Sequence, residues 1–278
     1  MCAAPGTLTS DARLDGPVVD APTDARADAP SGTSDGDGDG IPNATDNCPA
    51  IANPNQDNED GDRFGDVCDP CPPVADDSPV DTDGDGVANA CDPRPAMPGD
   101  AIVLFEGFTG GIPATWIKNG LWTATGGDAH IAALAGKANL SFPAPTTGHH
   151  TIRAGVVVDN LPSGQDASIG VLTTFDHVAR TGLYCHLTQW TGEKAVVLNA
   201  IAASGTVLGS STYQMTAGAA YVLDLRRDAT TYGCTGSRGN TSATAAGSSP
   251  VTATPPEAGL RVVHADATYA WVMVVSNN

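Results

Sequence analysis

The chain of 278 residues is long enough for two domains, and 32 acidic against 13 basic side chains leave it a net charge of −19. That charge repels phosphates and argues against nucleic acid as a partner. No stretch approaches the roughly 18 apolar residues of a membrane span, so no transmembrane segment is expected. The charge is concentrated at one end. Residues 1–100 hold 22 Asp/Glu against Arg13, Arg26, Arg63 and Arg94, a net of −18, whereas residues 101–278 are nearly neutral at −1. So many carboxylates in one segment repel each other unless the segment stays unfolded or cations neutralise it.

Residues 1–34 are rich in Ala, Pro, Asp, Thr and Gly, with Asp20-Ala21-Pro22 recurring as Asp28-Ala29-Pro30. Too few large apolar residues are present to offset the entropy of ordering them, which predicts a disordered tether. Cys2 reads either as the lipid-carrying first residue of a processed bacterial lipoprotein or as a free terminal thiol. The other cysteines stand at 48, 68, 71, 91, 185 and 234, with the spacing 48→68 repeated at 71→91. An even set at repeating intervals points to disulfides and an oxidising compartment, hence a secreted or cell-surface protein. No complete secretion signal is visible.

From Asp35 a repeat of period 23 begins. Asp35, Asn58 and Asp81 align, as do Asp37, Asp60 and Asp83; Asp39, Asp62 and Asp85; Asn43, Asp66 and Asn89; and Asp46, Asp69 and Asp92. These residues occupy positions 1, 3, 5, 9 and 12 of three twelve-residue frames. That is the ligand spacing by which a curled loop surrounds a calcium ion, the carbonyl of position 7 (Ile41, Phe64 or Val87) completing the set. Hard oxygen ligands and the lack of histidine in residues 1–100 favour Ca²⁺ over zinc. Gly40 and Gly86 fill position 6, where Arg63 stands in the middle frame. Asp77 lies outside every frame.

An EF-hand or a dockerin would need flanking helices, and the Pro-rich segments 47–56 and 70–80 cannot supply them. Asp35-Gly-Asp-Gly-Asp-Gly, then Asp46-Asn47-Cys48-Pro49, Asn53-Pro54-Asn55-Gln56 and Gly65-Asp66-Val67-Cys68-Asp69, closely resemble the thrombospondin type 3 repeat over about residues 35–95. The resemblance implies an irregular chain wrapped around calcium and stitched by disulfides, with pairing Cys48–Cys68 and Cys71–Cys91. Asp76-Asp77-Ser78-Pro79 departs from the pattern of the first linker.

Beyond Pro98 the sequence alternates as strands do, in ten short runs: 101–105, 121–125, 130–134, 151–158, 169–174, 183–187, 195–201, 221–225, 260–264 and 269–275. The fold class expected is all-β, a C-terminal β-sandwich (jelly roll) at 100–278 preceded by the irregular array. Phe105-Glu106-Gly107-Phe108 with Trp116, Gly120 and Trp122, and the ending from Gly259 to His264 and from Ala270 to Val275, resemble concanavalin-like and laminin-G-like sandwiches. That likeness implies no one function. Glu106, Glu193 and Glu257 are scattered, with no paired carboxylates for glycoside hydrolysis, so no enzyme is expected. His149-His150, and His177 with His186, read as structural rather than metal-binding. Trp116, Trp122, Trp190 and Trp271 read as core before they read as a sugar-stacking face. Cys185 and Cys234 are expected to pair inside the sandwich.

The sequence therefore predicts a calcium-binding, non-enzymatic extracellular protein in which a calcium-stabilised spacer presents a sandwich for adhesion or for a glycan or protein ligand. The alternative is a carbohydrate-binding or carbohydrate-active sandwich with the repeat as mere spacer. Removal of calcium is expected to open residues 35–95 to proteolysis and to leave the sandwich intact.

Overall fold

The structure is a computed structural model and describes residues 34–143, 149–163, 165–190, 193–201, 206–250 and 257–277. Cys2 and nearly all of the expected tether lie outside the described residues. Residues 34–99 form turns and bends with no helix or strand, and every strand lies beyond them.

Two antiparallel sheets make the sandwich. The eight-stranded sheet contains β1 (Asp100–Glu106), β3 (Thr123–Thr125), β4 (Asp128–Ala132), β6 (His149–Asn160), β11 (Ala219–Asp228), β12 (Thr231–Arg238), β13 (Thr241–Ser248) and β15 (Asp266–Asn277). The seven-stranded sheet contains β2 (Ile117–Asn119), β5 (Lys137–Pro143), β7 (Ala167–Asp176), β8 (Thr181–Trp190), β9 (Glu193–Ile201), β10 (Thr206–Thr212) and β14 (Glu257–Val263). The first sheet runs β13-β12-β11-β6-β15-β4-β3, and β1 joins the free stretch of β15 beyond β4.

Alternation along each strand builds the core. Ile152, Ala154, Val156 and Val158 of β6, Leu223 and Leu225 of β11, and Val272 and Val274 of β15 face Leu140, Ile169, Val171, Leu187, Leu198 and Leu260 of the other sheet. The Cys185–Cys234 disulfide bridges β8 to β12 through this layer. Cys234 lies within β12, beyond the run predicted at 221–225. All ten predicted runs overlap strands, while β2, β5, β10, β12 and β13 were not predicted. The sequences of β12 and β13, TYGCTGSR and TSATAAGS, resemble loops in composition. At Gly236 of β12 the sheets approach closely: a Cβ there would come within 2.8 Å of Val196 and 2.9 Å of Leu187.

The array does not lead away from the sandwich as a free spacer. Cys71, Val87, Ala88 and Cys91 are buried in one cluster with Met273 and Val275, and Ile102, Phe105 and Trp271 pack around them. Met273 and Val275 point away from the main core, so the third frame covers the outer face of β15 and β1.

Candidate metal centre

The three frames repeat in hydrogen bonding as well as in sequence. The position 1 side chain accepts the position 4 N–H: Asp35 from Gly38 at 2.7 Å, Asn58 from Gly61 at 2.7 Å and Asp81 from Gly84 at 2.8 Å. These glycines have φ of 83°, 77° and 81°, a left-handed turn that any Cβ would strain. Position 4 is a signal the sequence carried and the ligand spacing alone did not use. In the outer frames, Asp35 and Asp81 also accept the position 6 N–H of Gly40 and Gly86, both 2.9 Å. Arg63 replaces that glycine in the middle frame, and its N–H goes instead to Asp77 Oδ1 at 3.0 Å. Asp77 thus braces the one irregular loop although it lies outside the frames.

Position 5 holds the chain that follows. Asp39 accepts the N–H of Asn53 at 2.8 Å, Asp62 that of Asp76 at 3.0 Å, and Asp85 that of Gly99 at 3.0 Å, always 14 residues downstream. The other oxygen of each accepts the position 7 N–H of Ile41, Phe64 or Val87. Position 9 closes the loop: Asn43, Asp66 and Asn89 accept the N–H of Gly36, Glu59 and Thr82. Position 12 anchors the exit, where Asp46, Asp69 and Asp92 accept the N–H two residues on and are themselves buried.

Carboxylates converge as a result. Asp35, Asp37 and Asp39 bring oxygens within 4.8 Å of one another, as do Asp60, Asp62 and Asp69, and Asp81, Asp83 and Asp85. A fourth group joins Asp85 and Asp92 to Asp100, the first residue of β1, which is paired with Arg94 at 3.2 Å. Asp100 was not among the predicted ligands because it stands in the next element. Asp37 Oδ2, Asp46 Oδ2, Asp60 Oδ2, both oxygens of Asp83 and Asp92 Oδ2 are buried with no hydrogen-bond partner. All lie at positions 3 and 12. A buried, unpaired carboxylate oxygen is costly, and a hard cation with an oxygen shell satisfies it. The residues present fit calcium.

The electrostatics agree. Amides of Gly40 and Gly38 hold the Asp35 carboxyl below its usual range, and Gly86 and Gly84 do the same for Asp81. Burial, followed by neighbouring acids, pushes Asp69 up to about 6. Burial together with Asp100 also takes Asp92 to about 6, against the opposing Arg94 amide. Glu59, at position 2 of the middle frame, is raised to about 7 by burial and then by Asp66, Asp128 and Asp60. It sits against the turn that follows β1, where a Cβ on Gly107 would come 2.8 Å from Glu59 Oε2.

These shifts set a pH dependence. Without calcium, groups raised above their unfolded values let the folded array take up protons first, so its stability falls as pH rises from about 4 to about 7. With calcium bound at these carboxylates the sign would reverse, because protons would compete for the same oxygens and acidification would release the ion. Thermal melts at pH 5 and pH 8, in chelator and in calcium, should therefore cross over. A chelated array that is more stable at pH 8 contradicts this reading.

The sandwich's other candidates are engaged elsewhere. His149 pairs with Asp228 at 2.6 Å, His150 with the Thr173 hydroxyl at 2.6 Å, and His177 with Glu257 at 2.6 Å. His186 is buried flat against Tyr184, and burial lowers it to about 3. Glu106 accepts the N–H of Phe108. Trp116 and Trp122 are core, whereas Trp190 and Trp271 are partly exposed. No helix of the described residues is long and apolar enough to cross a membrane.

Residues 20–56 match the family model of the thrombospondin type 3 repeat, which takes in the first frame and the linker after it. The second and third frames lie outside the matched residues; the third repeats the first frame's hydrogen bonds at positions 1, 5, 9 and 12, and the second repeats all of these but the one donated by position 6. No curated protein matches the chain in sequence. Among solved structures, peanut lectin in complex with a peptide is similar over 64% of this chain and 97% of the lectin, at 10% identity and a TM-score of 0.50. The sandwich therefore has the fold of that lectin. A carbohydrate binding module from Bacillus subtilis is similar over 56% of this chain and 91% of its own, at 14% identity and TM-score 0.44. A GH43 protein from Bacillus licheniformis is similar over 62% of this chain at 12% identity and TM-score 0.49, and the chain spans 39% of it.

Proposed function

We propose that this is a calcium-binding, non-catalytic protein of an extracellular or cell-surface setting. Residues 35–95 take up calcium, and residues 100–278 form a sandwich that binds carbohydrate. The observation that carries the calcium reading is the set of buried, unpartnered carboxylate oxygens at positions 3 and 12 of the frames. Each ion would be held by the position 3 carboxylate with the position 1 and position 5 side chains, the carbonyl of Ile41, Phe64 or Val87 and the position 12 carboxylate, while position 9 braces the loop. The match of residues 20–56 supports the same reading. Disulfides at Cys48–Cys68, Cys71–Cys91 and Cys185–Cys234 fit an oxidising compartment, and lipidation of Cys2 would hold the chain at a membrane surface.

Calorimetry with Ca²⁺ tests the ligand register. Asp83→Ala removes two unpartnered oxygens, whereas Asp77→Asn removes the same charge and keeps an acceptor for the Arg63 N–H. Specific coordination predicts that Asp83→Ala loses one site of roughly 10⁻⁴ to 10⁻³ M and Asp77→Asn loses none. Equal titrations would mean that the loops only gather a diffuse ion cloud.

The carbohydrate reading of the sandwich is supported by the lectin-like fold and by a partly exposed tryptophan, Trp271, on the sheet that carries the array. A glycan array probed with the whole protein tests it.

A further inference from the structure

We propose that the outer face of the eight-stranded sheet is a trough for a neutral glycan chain, and that the third Asp-rich frame builds one end of it. This rests on the carbohydrate reading above and adds the site and its closure.

The floor is set by register. Arg153 of β6 lies opposite Asp224 of β11, which lies opposite Thr235 of β12, which lies opposite Thr244 of β13. Arg153 Nε is 2.7 Å from Asp224 Oδ1, and the two threonine hydroxyls are 3.0 Å apart, so a polar row crosses four strands. One rung along, the row becomes Gly155, Val222 and Ser237, and the Trp271 indole lies across Gly155. A Cβ there would come 2.5 Å from Trp271 Nε1. Cavities of about 440 Å³ and 350 Å³ occupy these neighbouring rungs. They run along β11 from Arg226 to Ala220, about 20 Å at about 3.4 Å per residue.

The third frame forms the end wall. Its Ala90 carbonyl accepts from Arg153 Nη1 at 2.7 Å, and the following Pro93 carbonyl accepts from Arg226 Nη1 at 3.3 Å. Two arginines of the trough are therefore positioned by the frame that holds Asp83, Asp85 and Asp92.

The chemistry selects the ligand. A sugar ring has an apolar C–H face to lie on an indole and hydroxyl edges to bond a row of mixed donors and acceptors, and this floor offers both one rung apart. β6, β11 and β12 are paired on both sides, so a peptide lying across this floor cannot add to them as a further strand. Arg153 is already paired with Asp224, and the array that walls one end carries a net of −15 over residues 35–92, which opposes a polyanion and leaves a neutral chain.

The test uses the full chain loaded with calcium and immobilised cellulose, xylan, mannan, galactan and fructan. The tightest of these is then titrated against wild type, Arg226→Ala and Thr235→Arg, with thermal melts as the control for folding. Arg226→Ala should weaken binding about tenfold, and Thr235→Arg, which fills the floor, about a hundredfold. Chelator should weaken wild type about tenfold or more. Wild-type affinity in both folded variants would overturn the trough while leaving the carbohydrate reading standing. Binding indifferent to chelator would overturn the calcium-built end. No binding to any of the polysaccharides would remove the carbohydrate reading and the trough with it.

Discussion

Chelating calcium from the intact protein is expected to open residues 34–98 to proteolysis and also to lower the melting temperature of the sandwich. The first effect follows from charge. Residues 35–92 carry 16 acidic side chains against Arg63, a net of −15, and three Ca²⁺ would reduce it to −9. Three ions at tenfold above their dissociation constants contribute about 4 kcal/mol in all. Few apolar residues within the array oppose that loss.

The second effect departs from what the sequence predicts, and the seam is the reason. Val87 supplies a candidate calcium-ligating carbonyl and is also buried against Met273 and Val275 of β15. When the loop opens, that apolar face and the sides of Phe105 and Trp271 meet water. Covering such a patch stabilises by about 2–3 kcal/mol, which shifts the melting temperature of a domain this size by about 5–10 °C. Scanning calorimetry with and without chelator reads the shift, and dye binding to the uncovered face should rise with it. A sandwich that melts at the same temperature in both conditions would mean that the array contributes nothing to it.

The second large effect concerns the disulfides. Cys48–Cys68 and Cys71–Cys91 both close loops with a separation of 20, so in the chain-entropy account each contributes about 3 kcal/mol alike. They differ in surroundings. Cys71 and Cys91 are both buried in the seam with the sandwich, whereas Cys68 is partly exposed and its pair lies outside that cluster. Replacing Cys71 and Cys91 by alanine should therefore cost about 1–2 kcal/mol more than replacing Cys48 and Cys68, the excess being lost packing. Denaturant unfolding of the two double variants in calcium measures the difference directly. Equal losses would show that the seam pair acts only by closing its loop. The Cys185–Cys234 bridge has a separation of 49 and is expected to contribute about 4 kcal/mol to the sandwich itself.

Much of the candidate site is legible in the amino-acid sequence, because the site is local. A twelve-residue loop places its own side chains, so the period of 23 and the oxygens at positions 1, 3, 5, 9 and 12 can be read from spacing. The disulfide pairing comes through the resemblance that the same residues carry. The division of labour among those positions is not legible. Whether Asp37 leaves one oxygen buried and unpaired while Asn43 spends its oxygen on Gly36 depends on backbone conformation, and spacing is blind to that. The glycines at position 4 are present in the sequence but become informative only once their φ is known.

The sequence by itself determined the three frames, their acidity, their cysteines, and an alternating apolar text that has to bury one face of each strand. Tertiary structure decided what those elements press against. It turned the Thr-, Gly- and Ala-rich segments of β12 and β13 into strands by pairing them in register beyond β11, and close sheet packing leaves little more than a hydrogen's room at Gly236. It brought Asp100 to Asp85 and Asp92, and it laid the third frame over Met273 and Val275, with Trp271 at the edge of the covered patch. Those contacts join residues up to about 190 positions apart, and local spacing has no term for pairs so distant along the chain.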